Sequence, residues 1–108
     1  MTGLVWTYLI TAGLFEIGWP VGLKMAQTPG ETITGIILAG ACIAISGFLL
    51  YLAQRHIPMG TAYAVWTGIG AAGTFVMGIF LYDDPVGAMR IFSALLIISG
   101  VILLKLAH

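Results

Sequence analysis

The run LVWTYLITAGLFEIGWPVGLKM, residues 4–25, decides how the rest of the chain is read. Its only charged residues are Glu16, near the middle, and Lys24, close to the end. At 1.5 Å per residue, a helix of about 20 residues crosses a hydrocarbon core of about 30 Å. Working outward, three more apolar stretches of that length follow, at 33–53, 59–82 and 86–107. The sequence predicts an all-α membrane protein of four transmembrane helices, in one domain covering 1–108. Composition agrees: of the 108 residues 60% are hydrophobic and 7% charged, and the mean hydropathy is +1.09. An ordinary soluble domain carries about 25% charged residues, so this chain cannot cover a globular surface with polar groups.

The breaks between the apolar runs carry turn chemistry. Thr28-Pro29-Gly30-Glu31 separates the first two, with Thr32 placed to cap the second helix. Gln54-Arg55-His56-Ile57-Pro58 separates the second and third, and Asp83-Asp84-Pro85 the third and fourth. Asp84 as N-cap with Pro85 at the first helical position fits the rules for a helix start. The first run is expected to stay in the mature protein, because no Lys or Arg precedes Lys24 to form a signal-peptide n-region.

Several function classes drop out early. The formal net charge is zero, which gives nucleic-acid binding no electrostatic basis. Cys42 is the sole cysteine, so neither an internal disulfide nor a thiolate metal cluster is available, and it reads as a small buried hydrophobe. His56 and His108 lie at a loop and at the last position, without companion ligands. An enzyme is not expected, since there is no nucleophile–base pair, metal set or phosphate loop, and no cofactor is expected either.

With four spans, Arg55 and Lys105 fall on one side of the membrane and Lys24 and Arg90 on the other. A balance of two against two leaves the positive-inside rule without a direction. Insertion in both orientations, followed by pairing of opposite copies, fits that count. So does a single orientation set by another determinant.

Glu16 is the residue that needs explaining. A charge at mid-depth costs roughly 2.5–3.5 kcal/mol on insertion scales, and such residues usually face a cavity or a partner. Lys24 is eight residues away, about 12 Å along the axis, and too far for an i,i+4 pair. Arg55, Arg90 and Lys105 all lie near helix ends, where long stems reach the interface. With no fixed cation nearby, Glu16 must hold a proton or bind a cation from outside. Alternation between the two is the minimal device for proton–cation exchange; a permanently protonated structural Glu is the plainer reading. On the face of Glu16 lie Leu9, Ala12, Gly13, Trp19, Pro20 and Leu23 at helical spacing. Trp19 sits one turn away and offers an indole N–H and a π-face. Elsewhere a membrane Trp is more often an interface anchor. Tyr63, Trp66 and Gly70 share a face in the third run, with Thr67 beside them. Ser46 with Gly47 is the small polar pair at mid-depth in the second run, and alone Ser46 is weak, because such hydroxyls often bond back to their own helix.

The runs Gly13-Leu14-Phe15-Glu16-Ile17-Gly18-Trp19 and Pro58-Met59-Gly60-Thr61-Ala62-Tyr63-Ala64-Val65-Trp66-Thr67-Gly68-Ile69-Gly70 resemble the small multidrug resistance family, and within it the guanidinium exporter subtype. The resemblance covers essentially the whole chain, to Gly100-Val101-Ile102-Leu103-Leu104-Lys105. Trp19, three residues after the glutamate, and Trp66-Thr67-Gly68 carry the subtype signal. The resemblance implies an antiparallel dual-topology dimer in the bacterial inner membrane, formed with an identical copy or a paired homologue. It implies export of guanidinium ion or small guanidinyl compounds, with protons as the coupling ion. It assigns Glu16 to a shared proton and substrate site. Trp19, Ser46, Tyr63 and Trp66 would hydrogen-bond the glutamates and shape that site, and Gly13 would pack closely beside it. Ser93 and Gly100 would lie on the fourth helix as the dimer-forming arm.

Two departures from the family pattern stand out. Pro20 follows Trp19 where a small residue is usual. Proline lacks an N–H and clashes with the carbonyl four residues back, here that of Glu16. A bend of the first helix at the binding residue is therefore expected, changing cavity width and substrate range. The first loop, residues 25–32, lacks the usual aromatic and basic pattern, which leaves its contacts open. The competing functions are export of quaternary ammonium or aromatic cations and, in another class, a non-transporting membrane subunit.

Overall fold

Four helices account for nearly all of the chain: α1 (Thr2–Met25), α2 (Thr32–Gln54), α3 (Met59–Tyr82) and α4 (Ala88–Ala107). The computed structural model describes residues 2–107, with the side chain of Thr2 excluded. His108 lies outside the described residues. Each helix is long and apolar enough to cross a membrane, so the protein is a multi-pass membrane protein.

The helix ends follow local chemistry and, in one case, overturn the sequence expectation. Helix α1 starts two residues earlier than expected and remains helical through Pro20. Thr32 is the first residue of α2; the cap position belongs to Glu31, whose side chain makes no capping hydrogen bond. These are shifts of one or two residues. The third connection differs more. Asp84 and Pro85 do not open α4, which begins at Ala88. Asp83 adopts the left-handed conformation (φ 55°) that Asp tolerates better than most residues. The backbone N–H groups of Asp83 and Asp84 both donate to the carbonyl of Gly78. The pair therefore closes α3 in a Schellman-like turn. The carbonyl of Gly87 accepts from Ile91 N–H at 2.9 Å and starts α4 in its place.

Helix α1 is the hub, packing along both α2 and α3, which barely meet each other. Its approach to α2 is close because Gly22 faces Gly35 and Ala39: a methyl on Gly22 would lie 2.7 Å from the backbone of both. The backbone of α4 approaches α3 alone. Further contact with α1 comes from the Lys105 ammonium, 5.3 Å from the centre of the Trp6 ring.

Packing is uneven along the membrane normal. Val5, Trp6 and Leu9 of α1 meet Ala53, Ile57, Ala62 and Val65 in one cluster at the end that carries the second loop. Towards the first and third loops α1 and α3 enclose open space instead. The protomer is flattened, with extents of 44 × 33 × 18 Å. No described residue of α4 is buried.

Candidate functional site

Glu16 projects from the middle of α1 across the face of α3. Gly70 makes room for it: a methyl at that position would lie 3.1 Å from Glu16 Cβ and in hard collision with Cγ. Gly13, one turn earlier, sits against Ile69, whose Cβ would be 2.8 Å from an added methyl. Two glycines on facing helices thus bring α1 and α3 together at the level of the carboxylate. A cavity of 270 Å³ opens there, lined by Glu16, Pro20, Thr67, Gly70, Ala71 and Thr74. A second, of 220 Å³, continues towards the first and third loops along Pro20, Val21, Lys24, Thr74, Gly78, Tyr82 and Asp84. Pro20 and Thr74 line both.

Glu16 Oε1 is buried without a hydrogen-bond partner, and so is Trp19 Nε1, one turn further along α1. The basic groups are engaged elsewhere. Arg55 donates to the Tyr51 hydroxyl at 3.2 Å. Arg90 Nε donates to the Pro85 carbonyl at 2.9 Å, with its guanidinium 5.0 Å from the Phe75 ring centre. Lys105 lies over Trp6, and Lys24 lines the outer cavity. Among the described residues none of these cations pairs with the carboxylate. A buried acceptor in that condition is costly unless it is protonated or paired from outside.

Ser46 departs from the usual behaviour of a helical serine. It is fully buried, and its hydroxyl does not return to its own helix. It donates to the Ala12 carbonyl of α1 at 2.6 Å and accepts from Trp66 Nε1 of α3 at 2.7 Å. One hydroxyl therefore joins three helices one turn below Glu16. In this protomer the Trp66 indole and the Ser46 proton are both spent on that chain and neither reaches the Glu16 carboxylate. Tyr63 is more than half exposed, with its ring centre 5.5 Å from that of Trp66. The structure thus brings Ser46 and Trp66 together, extends them to Tyr63 by ring contact, and leaves Glu16 and Trp19 unpaired beside them. Ser46→Ala removes both hydrogen bonds and orphans the Trp66 N–H, at a cost of about 1–2 kcal/mol. Reversible unfolding in mixed micelles should register that loss with little change in helix content.

The remaining expected positions lie elsewhere. Ser93 is exposed on α4 and donates to the Met89 carbonyl at 2.8 Å, while Gly100 has nothing within 4 Å of an added methyl. Cys42 is half-buried, packed against Gly18. Among the described residues no three His, Cys, Asp or Glu side chains gather where one metal ion could be held. Thr74 was not singled out from sequence. The available signal was its spacing, seven residues after Thr67 and therefore on the same helical face.

Comparison with known proteins gives this geometry its relatives. Residues 4–97 match the family model described as Small Multidrug Resistance protein. The chain is 45% identical over 104 residues to a protein of Yersinia pseudotuberculosis named Guanidinium exporter, covering 96% of this chain and 99% of that one. Proteins with the same name from Proteus vulgaris and Escherichia coli K12 are each 44% identical over 102 residues. They cover 94% of this chain and 97% and 96% of their own lengths.

Proposed function

The chain belongs to the small multidrug resistance family, and from that premise we propose that it is a proton-coupled antiporter exporting guanidinium and small guanidinyl cations across the bacterial inner membrane. The observation that carries the reading is Glu16, whose Oε1 is buried without a hydrogen-bond partner beside a 270 Å³ cavity, while the described arginines and Lys105 are engaged elsewhere. Relatives named Guanidinium exporter at 44–45% identity support the choice of cargo. Guanidinium keeps its charge at physiological pH, and its planar forked donors suit a carboxylate as those of Arg do.

The same carboxylate serves proton and cargo in turn. Protonated Glu16 needs no counter-ion; ionised Glu16 requires one, and guanidinium supplies it. Because the two ligands compete for one group, loading of one releases the other. Net exchange follows when the cavity opens to one side at a time and an empty, ionised site does not cross readily.

We assign the working unit to an antiparallel dimer, with an identical copy or a paired homologue as the second subunit. Three features support this: an 18 Å-thin protomer, a fourth helix with no buried residue, and basic residues divided two and two between the sides. Two Glu16 side chains would then share one chamber. Trp19 Nε1, unpaired within the protomer, supplies a donor one turn from its own carboxylate.

The test is transport by the purified protein in liposomes. Guanidinium applied on one side should drive protons to the other, and tetraalkylammonium compounds should do so poorly. The opposite preference would make this a quaternary ammonium exporter, and absence of proton movement with either cation would refute the antiporter reading.

A further inference from the structure

Pro20 removes the usual donor to the Glu16 backbone carbonyl. In an α-helix each carbonyl points along the axis and accepts from the N–H four residues on. The donor for the Glu16 carbonyl would be residue 20, and proline has none. The side-chain hydrogen bonds to backbone oxygens seen at Gly3, Ala12, Pro85, Met89 and Leu95 leave that carbonyl aside. Glu16 and Pro20 line the same 270 Å³ cavity, and the pyrrolidine ring occupies the place where the helical hydrogen bond would run. Carbonyls displaced in this way tilt away from the helix axis towards whatever donor is at hand.

We propose that the Glu16 backbone carbonyl is a ligand for the transported cation, acting beside its own side chain and exposed for that purpose by Pro20. The inference rests on the exporter reading above and deepens it, by making the site choose among cations according to their N–H donors. A carboxylate alone attracts any small cation of suitable size. A carboxylate with a lone carbonyl one turn below Pro20 offers acceptors in two directions, and a planar cation with donors on three nitrogens satisfies both at once. A tetraalkylammonium ion has no N–H and leaves the carbonyl unpaired in a low-dielectric cavity, which costs free energy. The two hydroxyls on the opposite wall, Thr67 and Thr74, make no hydrogen bond within the described protomer and give further acceptors to donors that point away from α1.

Infrared spectroscopy reads this carbonyl directly. The chain holds only two glutamates, Glu16 and Glu31. Cell-free synthesis of a Glu31→Gln protein with carbonyl-¹³C glutamate therefore labels the backbone carbonyl of Glu16 alone. Guanidinium chloride, added to the reconstituted protein, should move the labelled amide band to lower frequency. In Pro20→Ala, which restores the N–H, the band should start at the lower frequency and stay there, and guanidinium affinity by calorimetry should fall about tenfold, the usual scale for one hydrogen bond to a charged group. A wild-type band that ignores bound guanidinium, or one that shifts equally in both proteins, overturns the inference while leaving the exporter reading intact. Absence of guanidinium binding heat in the wild type overturns both.

Discussion

Glu16→Gln should reduce guanidinium-driven proton transport in liposomes to background while leaving helix content and assembly unchanged. The substitution changes valence and not shape. Glutamine keeps the size of the side chain and retains a carbonyl acceptor, so the packing against Gly70 survives. What it lacks is a titratable proton and a negative charge. Without the charge, a cation in the inner cavity loses the one acidic side chain that lines it; Asp84 lines the outer cavity instead. Without the proton there is nothing to exchange. Substitution also removes the cost of placing an ionised carboxylate at mid-membrane, about 2.5–3.5 kcal/mol on insertion scales. The variant is therefore expected to be at least as stable as the wild type when unfolded in mixed micelles. Retained coupled transport would mean that the proton travels through another group.

The second large effect is expected at Gly70, a residue without a functional side chain. Glu16 Cγ occupies the place where any β-carbon on Gly70 would stand. Gly70→Val must push the glutamate aside or force α1 and α3 apart at the level of the cavity. Extra methyl groups driven into a packed site typically cost about 1–3 kcal/mol. At about 1.4 kcal/mol per decade, that corresponds to roughly a five- to 150-fold loss of guanidinium affinity if the strain falls on the bound state. Gly3→Ala is the matching control, because nothing lies within 4 Å of the added methyl. Calorimetric titration of both variants should separate them clearly. Equal affinity in Gly70→Val and wild type would show that the position of Glu16 over α3 does not matter to binding.

How far the sequence carries the account depends on the range of the interaction being read. Helix identity is set by local hydropathy, and the four spans can be read to within two or three residues. Glu16 stands out for the same reason: an acid in an apolar run needs no tertiary information to be noticed. The Asp83-Asp84-Pro85 connection misleads because two local rules compete. Asp-Pro is a good helix start, but Asp also tolerates the left-handed backbone that ends a helix, and the Gly78 carbonyl settles the contest in favour of the ending.

Contacts set by the relative register of helices are less accessible. Nothing in the spacing of α2 says that Ser46 will reach the Ala12 carbonyl instead of its own helix, because that depends on how deeply Gly22 and Gly35 let α1 and α2 interpenetrate. The same holds for Trp66, whose indole N–H is taken by Ser46. Thr74 becomes meaningful only once α1 and α3 are seen to part beyond Gly70. Pro20 illustrates the converse. The local rule can be read from sequence alone: proline takes away the usual donor to the Glu16 carbonyl, and α1 continues as a helix through that residue.

In the proposed antiporter, proton and guanidinium compete for Glu16. Release of protons from the purified protein in weakly buffered detergent, on addition of guanidinium chloride, tests it most directly. Saturable release that follows guanidinium occupancy and vanishes in Glu16→Gln is expected. Guanidinium binding without proton release, or equal release from Glu16→Gln, would contradict it.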